Sequence, residues 1–191
     1  MLAECGAPHE VITLDRDAEG RLPESLRTIN PMMQVPSLLL PDGLVMTESS
    51  AMLLYLGDAY PNAGLAPAIG TAQRAQYLRW MAFLATTLYM SDLRLYYPHK
   101  YTVDPAGTEG IKSKAAADMD NEFGILSLAL GNDPFLLGER VSAVDIYAAM
   151  LINWGPDLAA LGAKHPNLKS LHDRVASRPL IAPVWRRNGM G

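Results

Sequence analysis

The chain has 191 residues, of which 49% are hydrophobic and 19% charged, and a formal net charge of −4. This composition is typical of a globular protein with one large or two small cores. Lys and Arg are not clustered, so we expect no nucleic-acid partner, and no apolar run approaches the roughly 20 residues of a membrane span.

The small number of metal-binding and redox-active residues further restricts the class of protein. A single cysteine, Cys5, can form neither an intrachain disulfide nor a thiolate metal cage. The four histidines are scattered without metal-ligand spacing, and the first ten residues show no basic segment of a secretory signal. We therefore expect a cytoplasmic protein with no metal and no membrane partner.

The first third of the chain mixes strand and helix patterns. His9–Leu14 alternates and is rich in β-branched residues, which predicts a strand. A short helix is predicted over Pro23–Thr28, because proline suits a first helical turn. Ser37–Leu40 and Leu44–Met46 are predicted strands, and the Pro-Asp-Gly between them is typical of a hairpin turn.

A helix is then predicted up to Ala59, with Thr47 or Ser49 as its N-cap. Its expected apolar face consists of Met52, Tyr55, Leu56 and Ala59. Residues 61–70 follow, and four of these ten are Pro or Gly, which indicates a linker. We therefore predict a first domain over residues 1–62, a linker over 63–70 and an all-helical domain over 71–191.

Beyond residue 70 the patterns are helical only. Thr71 is the predicted N-cap of a long helix that ends at Pro98. Its expected inward residues are Tyr77, Met81, Leu84, Leu88 and Leu95. A second long helix is predicted over Glu109–Leu130, with Gly131 at its C-terminus. A last helix is predicted over Asn167–Ser177.

Between these, Ser142-Ala143-Val144-Asp145 has the spacing of a capping box, in which each side chain satisfies an unpaired N–H of the other residue. The helix that follows, VDIYAAMLI, is apolar on nearly all sides. We therefore predict that it forms the centre of the second domain, and we assign the capping box a structural role only.

These elements, in this order, resemble the cytosolic glutathione transferases, and bacterial members most closely. The resemblance covers essentially the whole chain. The matching motifs are Asn30-Pro31, Gln34-Val35-Pro36, Thr47-Glu48-Ser49 with Ala51, and Ser142-x-x-Asp145. It implies an α/β plus all-α fold, with a thioredoxin-like N-terminal domain followed by a helical-bundle C-terminal domain.

The resemblance also implies where glutathione binds. An X-Pro bond can be cis, and a cis Val35-Pro36 would present the backbone of Val35 to the cysteinyl part of glutathione. Glu48 would accept from the γ-glutamyl ammonium, and Ser49 at the helix start would hold the γ-glutamyl carboxylate. Gln34 would reach the glycyl end. Alone, each motif also fits a plain turn or an ordinary helix cap.

One part of the family pattern is not found in the chain. The resemblance implies a first strand, and a loop with a catalytic Ser, Tyr or Cys, ahead of Met1. We therefore expect the N-terminal domain to be incomplete, which leaves His9–Leu14 without a neighbouring strand. A shortened start, a fragment completed by a partner chain and a non-catalytic relative all remain open. Cys5 is not expected to replace the missing residue, because a helix C-terminus disfavours a thiolate.

The long helix supplies the candidate residues for the second half of a site. Tyr89, Leu93 and Tyr97 are spaced i, i+4 and i+8, so they share one face. By resemblance Tyr89 is where some bacterial relatives place a His near the sulfur, so it is a candidate to offer its hydroxyl. The three residues are the expected hydrophobic substrate site, although helix packing would also explain them. We expect Trp154 to lie in the core or an interface.

The sequence thus predicts a homodimeric enzyme that uses glutathione as co-substrate and conjugates it to an electrophilic apolar small molecule. The residue that activates the sulfur is unknown. The alternative is a non-catalytic binding or regulatory module with the same fold. A lyase or isomerase of the same family is a narrower possibility.

Overall fold

The computed structural model describes residues 1–190, and the chain divides into two compact units between Ala63 and Gly64. The first unit contains a 3₁₀ turn at Glu24–Thr28 and a two-stranded sheet. Its strands are β1 (Leu38–Leu39) and β2 (Val45–Met46), followed by helix α1 (Ser49–Ala59). The 3₁₀ turn, the hairpin and α1 follow one another as predicted for a small thioredoxin-like domain.

The hairpin forms as the Pro-Asp-Gly motif predicts. Leu40 N–H donates to the carbonyl of Leu44 at 2.8 Å, and Leu44 N–H donates to Asp42 Oδ1 at 3.0 Å. Gly43 has φ +89°, a left-handed conformation in which a side chain is strained. The predicted turn chemistry is therefore confirmed.

The predicted strand at His9–Leu14 is wrong. This segment has no regular secondary structure, and Val11 and Ile12 are 54% and 78% exposed. A β-branched, alternating sequence gives a tendency only, and a strand needs a neighbour to pair its backbone N–H and C=O groups. No strand of the described residues lies beside this segment, because the one sheet there is the hairpin.

Helix α1 starts differently from the prediction. Its N-cap position is Glu48, with φ +63° and no capping bond from its side chain, so neither Thr47 nor Ser49 is the N-cap residue. Met52 and Leu56 are buried as predicted. Tyr55 and Ala59, however, are exposed, so the predicted apolar face is only half correct.

The second unit is helical throughout. Its helices are α2 (Ala72–Phe83), α3 (Tyr89–Tyr96), α4 (Thr108–Leu130), α5 (Ala143–Trp154), α6 (Leu158–Lys164), α7 (Pro166–Ala176) and α8 (Ala182–Arg187). Thr71 Oγ1 accepts from Arg74 N–H at 3.1 Å, which confirms the predicted N-cap of α2. The five inward residues predicted between Tyr77 and Leu95 are all buried.

Helix α5 forms the centre of this unit, as predicted, and Ala143 to Ala149 are buried without interruption. The predicted capping box forms: both the N–H and the Oγ of Ser142 donate to Asp145 Oδ2 at 2.7 Å. Asp145 Oδ1 also accepts from Leu136 N–H at 2.7 Å. This carboxylate therefore ties the preceding loop to the start of the central helix.

None of the helices within residues 1–190 combines the length and the apolar character that crossing a membrane requires. The same residues contain no group of three or more His, Cys, Asp or Glu side chains arranged to hold a metal ion.

Candidate functional site

The predicted glutathione edge lies in the first unit, on both sides of the hairpin. The Val35-Pro36 peptide bond is cis, as the resemblance implied. Gln34, Val35 and Pro36 are exposed, and Val35 has 49% of its surface accessible. An exposed, non-strand backbone before β1 leaves room for an extended peptide.

A buried asparagine fixes the approach to this edge. Asn30 is 4% exposed, and its side-chain Nδ2 donates to the carbonyl of Gln34 at 2.8 Å. Its Oδ1 accepts from Met32 N–H at 3.0 Å, and its own carbonyl accepts from Met33 N–H at 2.8 Å. Asn30 belongs to the Asn30-Pro31 motif, from which no role for its side chain was predicted. It positions the backbone that enters Val35.

The start of α1 forms the other part of the edge. Glu48 is exposed in the left-handed region at φ +63°, which is uncommon for a residue other than glycine and which clusters at functional sites. Ser49, the first residue of the helix, is half-buried. The first N–H groups of a helix have no partner inside it and favour an anion.

The hairpin register relates these two segments. Leu38 lies opposite Met46 in the antiparallel pair. Pro36 precedes Leu38 by two residues and Glu48 follows Met46 by two residues, so both segments leave the hairpin at the same end. The sequence predicted these residues as one edge, and the register supplies a structural reason for it.

A groove of about 410 Å³ lies in the second unit, formed by α3 and the end of α5. It is lined by Tyr89, Asp92, Leu93, Tyr96, Tyr97 and Trp154. The structure thus brings together the three residues predicted as a hydrophobic substrate site. Trp154, which we expected in the core or an interface, is half-buried and lines the groove instead.

Aromatic contacts hold the walls of this groove in place. The rings of Tyr89 and Trp154 lie 5.9 Å apart between centroids, and those of Tyr89 and Tyr147 lie 6.5 Å apart. Tyr96 Oη donates to the carbonyl of Trp154 at 2.8 Å, which joins α3 to the last residue of α5. The aromatic surface is therefore preformed.

Two residues of the groove, Asp92 and Tyr96, were not predicted from the sequence. Asp92 is 4% exposed, and its Oδ1 has no hydrogen-bond partner among the described residues. Burial raises the pKa of this carboxyl to about 6. A buried acid with a shifted pKa in a cleft is a recognised mark of a functional site. The sequence does contain a signal for Asp92. It stands three residues after Tyr89 and four before Tyr96, and this spacing places the three side chains on one helix face.

A π-helical turn precedes the groove residues. Leu84–Leu88 forms this turn, in which Tyr89 N–H donates to the carbonyl of Leu84, five residues earlier. The extra residue of a π turn rotates all later side chains by about 100° relative to an uninterrupted α-helix. Such turns occur frequently at functional sites. The sequence predicts one continuous helix here, because the apolar spacing of the chain gives no sign of the inserted residue.

Cys5 does not have the surroundings of a nucleophile. It is half-buried, and its Sγ lies 3.7 Å from the carbonyl oxygen of Leu56. Burial raises the pKa of the thiol, and a raised pKa disfavours the thiolate. This agrees with the expectation that Cys5 does not replace the missing catalytic residue.

Known proteins similar to this chain share both of its parts. Residues 1–59 match the family described as glutathione S-transferase, N-terminal domain, and residues 83–179 match glutathione S-transferase, C-terminal domain. The chain is 29% identical over 189 residues to an uncharacterized GST-like protein, YncG, of Escherichia coli K12, which covers 98% of this chain and 90% of that protein. It is also 29% identical, over 200 aligned positions, to the disulfide-bond oxidoreductase YfcG of the same organism, covering 100% and 89% of the two chains.

A solved structure gives a similar result. The chain resembles a sphingomonad glutathione S-transferase complexed with glutathione, with a TM-score of 0.80 and 29% identity. The match covers 100% of this chain and 92% of that one. The resemblance therefore extends to a protein whose structure contains glutathione.

Proposed function

Because the chain belongs to the glutathione S-transferase family, we propose that it conjugates glutathione to an electrophilic, mostly apolar small molecule. The observation that carries the proposal is the hairpin register, by which the exposed Val35-Pro36 segment and the start of α1 leave the hairpin at one end. The same residues match the family pattern, and a similar bacterial transferase is solved with glutathione bound.

In this proposal glutathione binds to the first unit as an added extended strand. The N–H and C=O of Val35, followed by Pro36, pair with its cysteinyl part. Glu48 accepts from the γ-glutamyl ammonium, since an exposed carboxylate there suits a cation. Ser49 and the N–H groups of the first turn of α1 hold the γ-glutamyl carboxylate, and Gln34 contacts the glycyl end.

The acceptor binds in the aromatic groove of the second unit, where Leu93 and Tyr97 supply apolar surface. The glutathione sulfur attacks an electrophilic carbon, an S–C bond forms, and the leaving group departs with the bonding electron pair. The thiol proton passes to solvent. A free thiol has a pKa of about 8.5, so a donor that stabilises the anion accelerates the reaction. Tyr89 is our candidate for that donor.

Isothermal titration of the full chain with glutathione tests the binding half. We expect saturable heat, and its absence at millimolar ligand would refute the proposal. Conjugation is then measured with 1-chloro-2,4-dinitrobenzene in the presence of glutathione. Saturable binding with no conjugate from this or other electrophiles would favour the alternative, a glutathione-binding module without catalysis.

We further propose a cytoplasmic homodimer, as is common for proteins of this kind. Light scattering coupled to size exclusion gives the mass directly. A single species near twice the chain mass of 20.8 kDa is expected, and a species at that mass itself would contradict the dimer.

A further inference from the structure

Within residues 1–190, the aromatic groove contains a buried carboxyl group, Asp92, that pairs with no cation. Asp92 is almost fully buried and Oδ1 accepts no hydrogen bond within residues 1–190. Desolvation is the one cause that shifts its pKa, with no contribution from a cation. An unpaired buried charge is energetically costly. An unpaired carboxylate in a groove therefore indicates that a bound ligand supplies its partner.

The cationic side chains of Lys100 and Arg94 lie over aromatic rings. Lys100 Nζ lies 4.6 Å from the ring centroid of Tyr97, and Arg94 lies 5.9 Å from that of Tyr101. Burial, and neither of these cations, accounts for the raised pKa of Asp92. Tyr96 does interact with Asp92, because the carboxylate adds to the desolvation that raises the pKa of this phenol. A phenol that keeps its proton is neutral and leaves the charge of Asp92 uncompensated.

The aromatic side chains that line the groove also favour a cationic ligand. Tyr89, Tyr96, Tyr97 and Trp154 line the same volume as Asp92. Aromatic faces attract cations, and a carboxylate beside them adds a full opposite charge. A neutral apolar guest would bury Asp92 further without supplying a partner, which is unfavourable. The volume of about 410 Å³ suits a small organic molecule.

We propose that the acceptor bound in this groove carries a protonated amine or a quaternary ammonium group, which Asp92 holds while the apolar remainder lies against the aromatic rings. This inference rests on the proposed transferase function, since it names the substrate class for the same reaction. It goes beyond that function by assigning Asp92 as the residue that determines specificity.

Titration without glutathione tests the site independently of conjugation. The probe is benzyltrimethylammonium chloride, and benzyl alcohol is its neutral counterpart with the same ring. We expect the cation to bind at least about tenfold tighter, because the alcohol offers Asp92 a neutral hydroxyl in place of a full positive charge. Equal affinities, or no saturable binding of the cation, would overturn the proposal.

Two substitutions locate the effect. Asp92→Asn keeps the shape and removes the charge, so the preference for the cation should fall to within about twofold of the alcohol. Glu122→Gln is the matched control: Glu122 is 7% exposed on α4, its Oε2 is also without a hydrogen-bond partner among the described residues, and it does not line the groove. This control should keep the preference. A cation preference that persists in Asp92→Asn, or that is lost equally in Glu122→Gln, contradicts the assignment to Asp92.

Thermal unfolding of each variant checks that the groove is intact, and Asp92→Ser is a second charge-removing variant should Asp92→Asn unfold. In the conjugation assay the cationic probe should compete with 1-chloro-2,4-dinitrobenzene and not with glutathione. The two proposals fail separately. Glutathione binding and conjugation without a cation preference refute this inference alone, whereas a cation preference that depends on Asp92, without glutathione binding, refutes the transferase function.

Discussion

Leu38 lies directly opposite Met46 in the hairpin of the first unit. This one pairing sets the spacing of two segments that are 12 positions apart in the chain, Pro36 and Glu48. A shift of register by one residue would turn every hairpin side chain to the other face and would separate these segments. The proposed glutathione edge therefore depends on a two-residue pairing more than on any single side chain.

Replacing Glu48 by Gln should weaken glutathione binding by about tenfold or more, because a hydrogen bond to a charged group is lost while the side chain keeps its length. Isothermal titration measures the effect. Glu10→Gln is the control, since Glu10 is an exposed glutamate of the same unit outside the edge. Unchanged affinity in Glu48→Gln would contradict the role of Glu48.

Replacing Asn30 by Ala should lower the free energy of unfolding by about 1–3 kcal/mol, because two hydrogen bonds of a buried side chain are removed. Glutathione affinity should fall as well, since Asn30 holds the carbonyl of Gln34. Asn62→Ala, at an exposed asparagine of the same unit, should change neither quantity. Urea unfolding and titration with glutathione give the two readouts. Full affinity in a destabilised Asn30→Ala protein would show that Asn30 does not position the edge.

Replacing Tyr89 by Phe should lower kcat for conjugation by at least about tenfold, since the hydroxyl that would stabilise the sulfur anion is removed. The ring, and with it the contact to Trp154, is retained. KM for the acceptor should therefore change little. Tyr101→Phe is the control, because Tyr101 lies in the same unit outside the groove. Equal kcat in Tyr89→Phe and the native protein would exclude Tyr89 as the donor.

Asp92 predicts a pH dependence of stability. Its pKa is raised to about 6 in the folded protein, above the ordinary value of 3.8, so the folded state binds more protons than the unfolded state between these values. The contribution of Asp92 to the free energy of unfolding is therefore fully present below about pH 4 and is lost as the pH rises through about 6. The total loss is on the order of 3 kcal/mol.

Urea unfolding of the native protein and of Asp92→Asn, from pH 4.5 to 7.5, measures this loss. The variant should gain stability relative to the native protein as the pH rises, because amide replaces a carboxylate that would be charged. The comparison cancels the other titrating groups, Glu122 among them, whose pKa burial also raises. A difference that is constant with pH would contradict a raised pKa of Asp92.

The sequence predicted best what is decided by residues close together in the chain. The capping box at Ser142, the N-cap Thr71 and the turn at Gly43 all depend on contacts within four residues, and all are confirmed. The strand at His9–Leu14 failed because a strand also needs a neighbour, which local alternation cannot supply.

The shared face of Tyr89, Leu93 and Tyr97 was predictable for the same reason. Their spacing predicts one helix face, and all three line the groove. The burial of Asp92 is not local, because it depends on how α3 packs against the rest of the unit. The π turn has no reliable signal in the apolar spacing, since Leu84 and Leu88 are buried with either kind of turn.

The π turn at Leu84–Leu88 gives the long helix two separate angular phases. The side chains before the turn are oriented to fill the core, and the side chains after it are oriented to line the groove. Removing one residue from the turn would restore a single phase and swing Asp92 by about 100° out of the groove, with every side chain of the helix still present. Which side chains of this helix face the groove thus depends on the number of residues in the turn as much as on the identity of the residues.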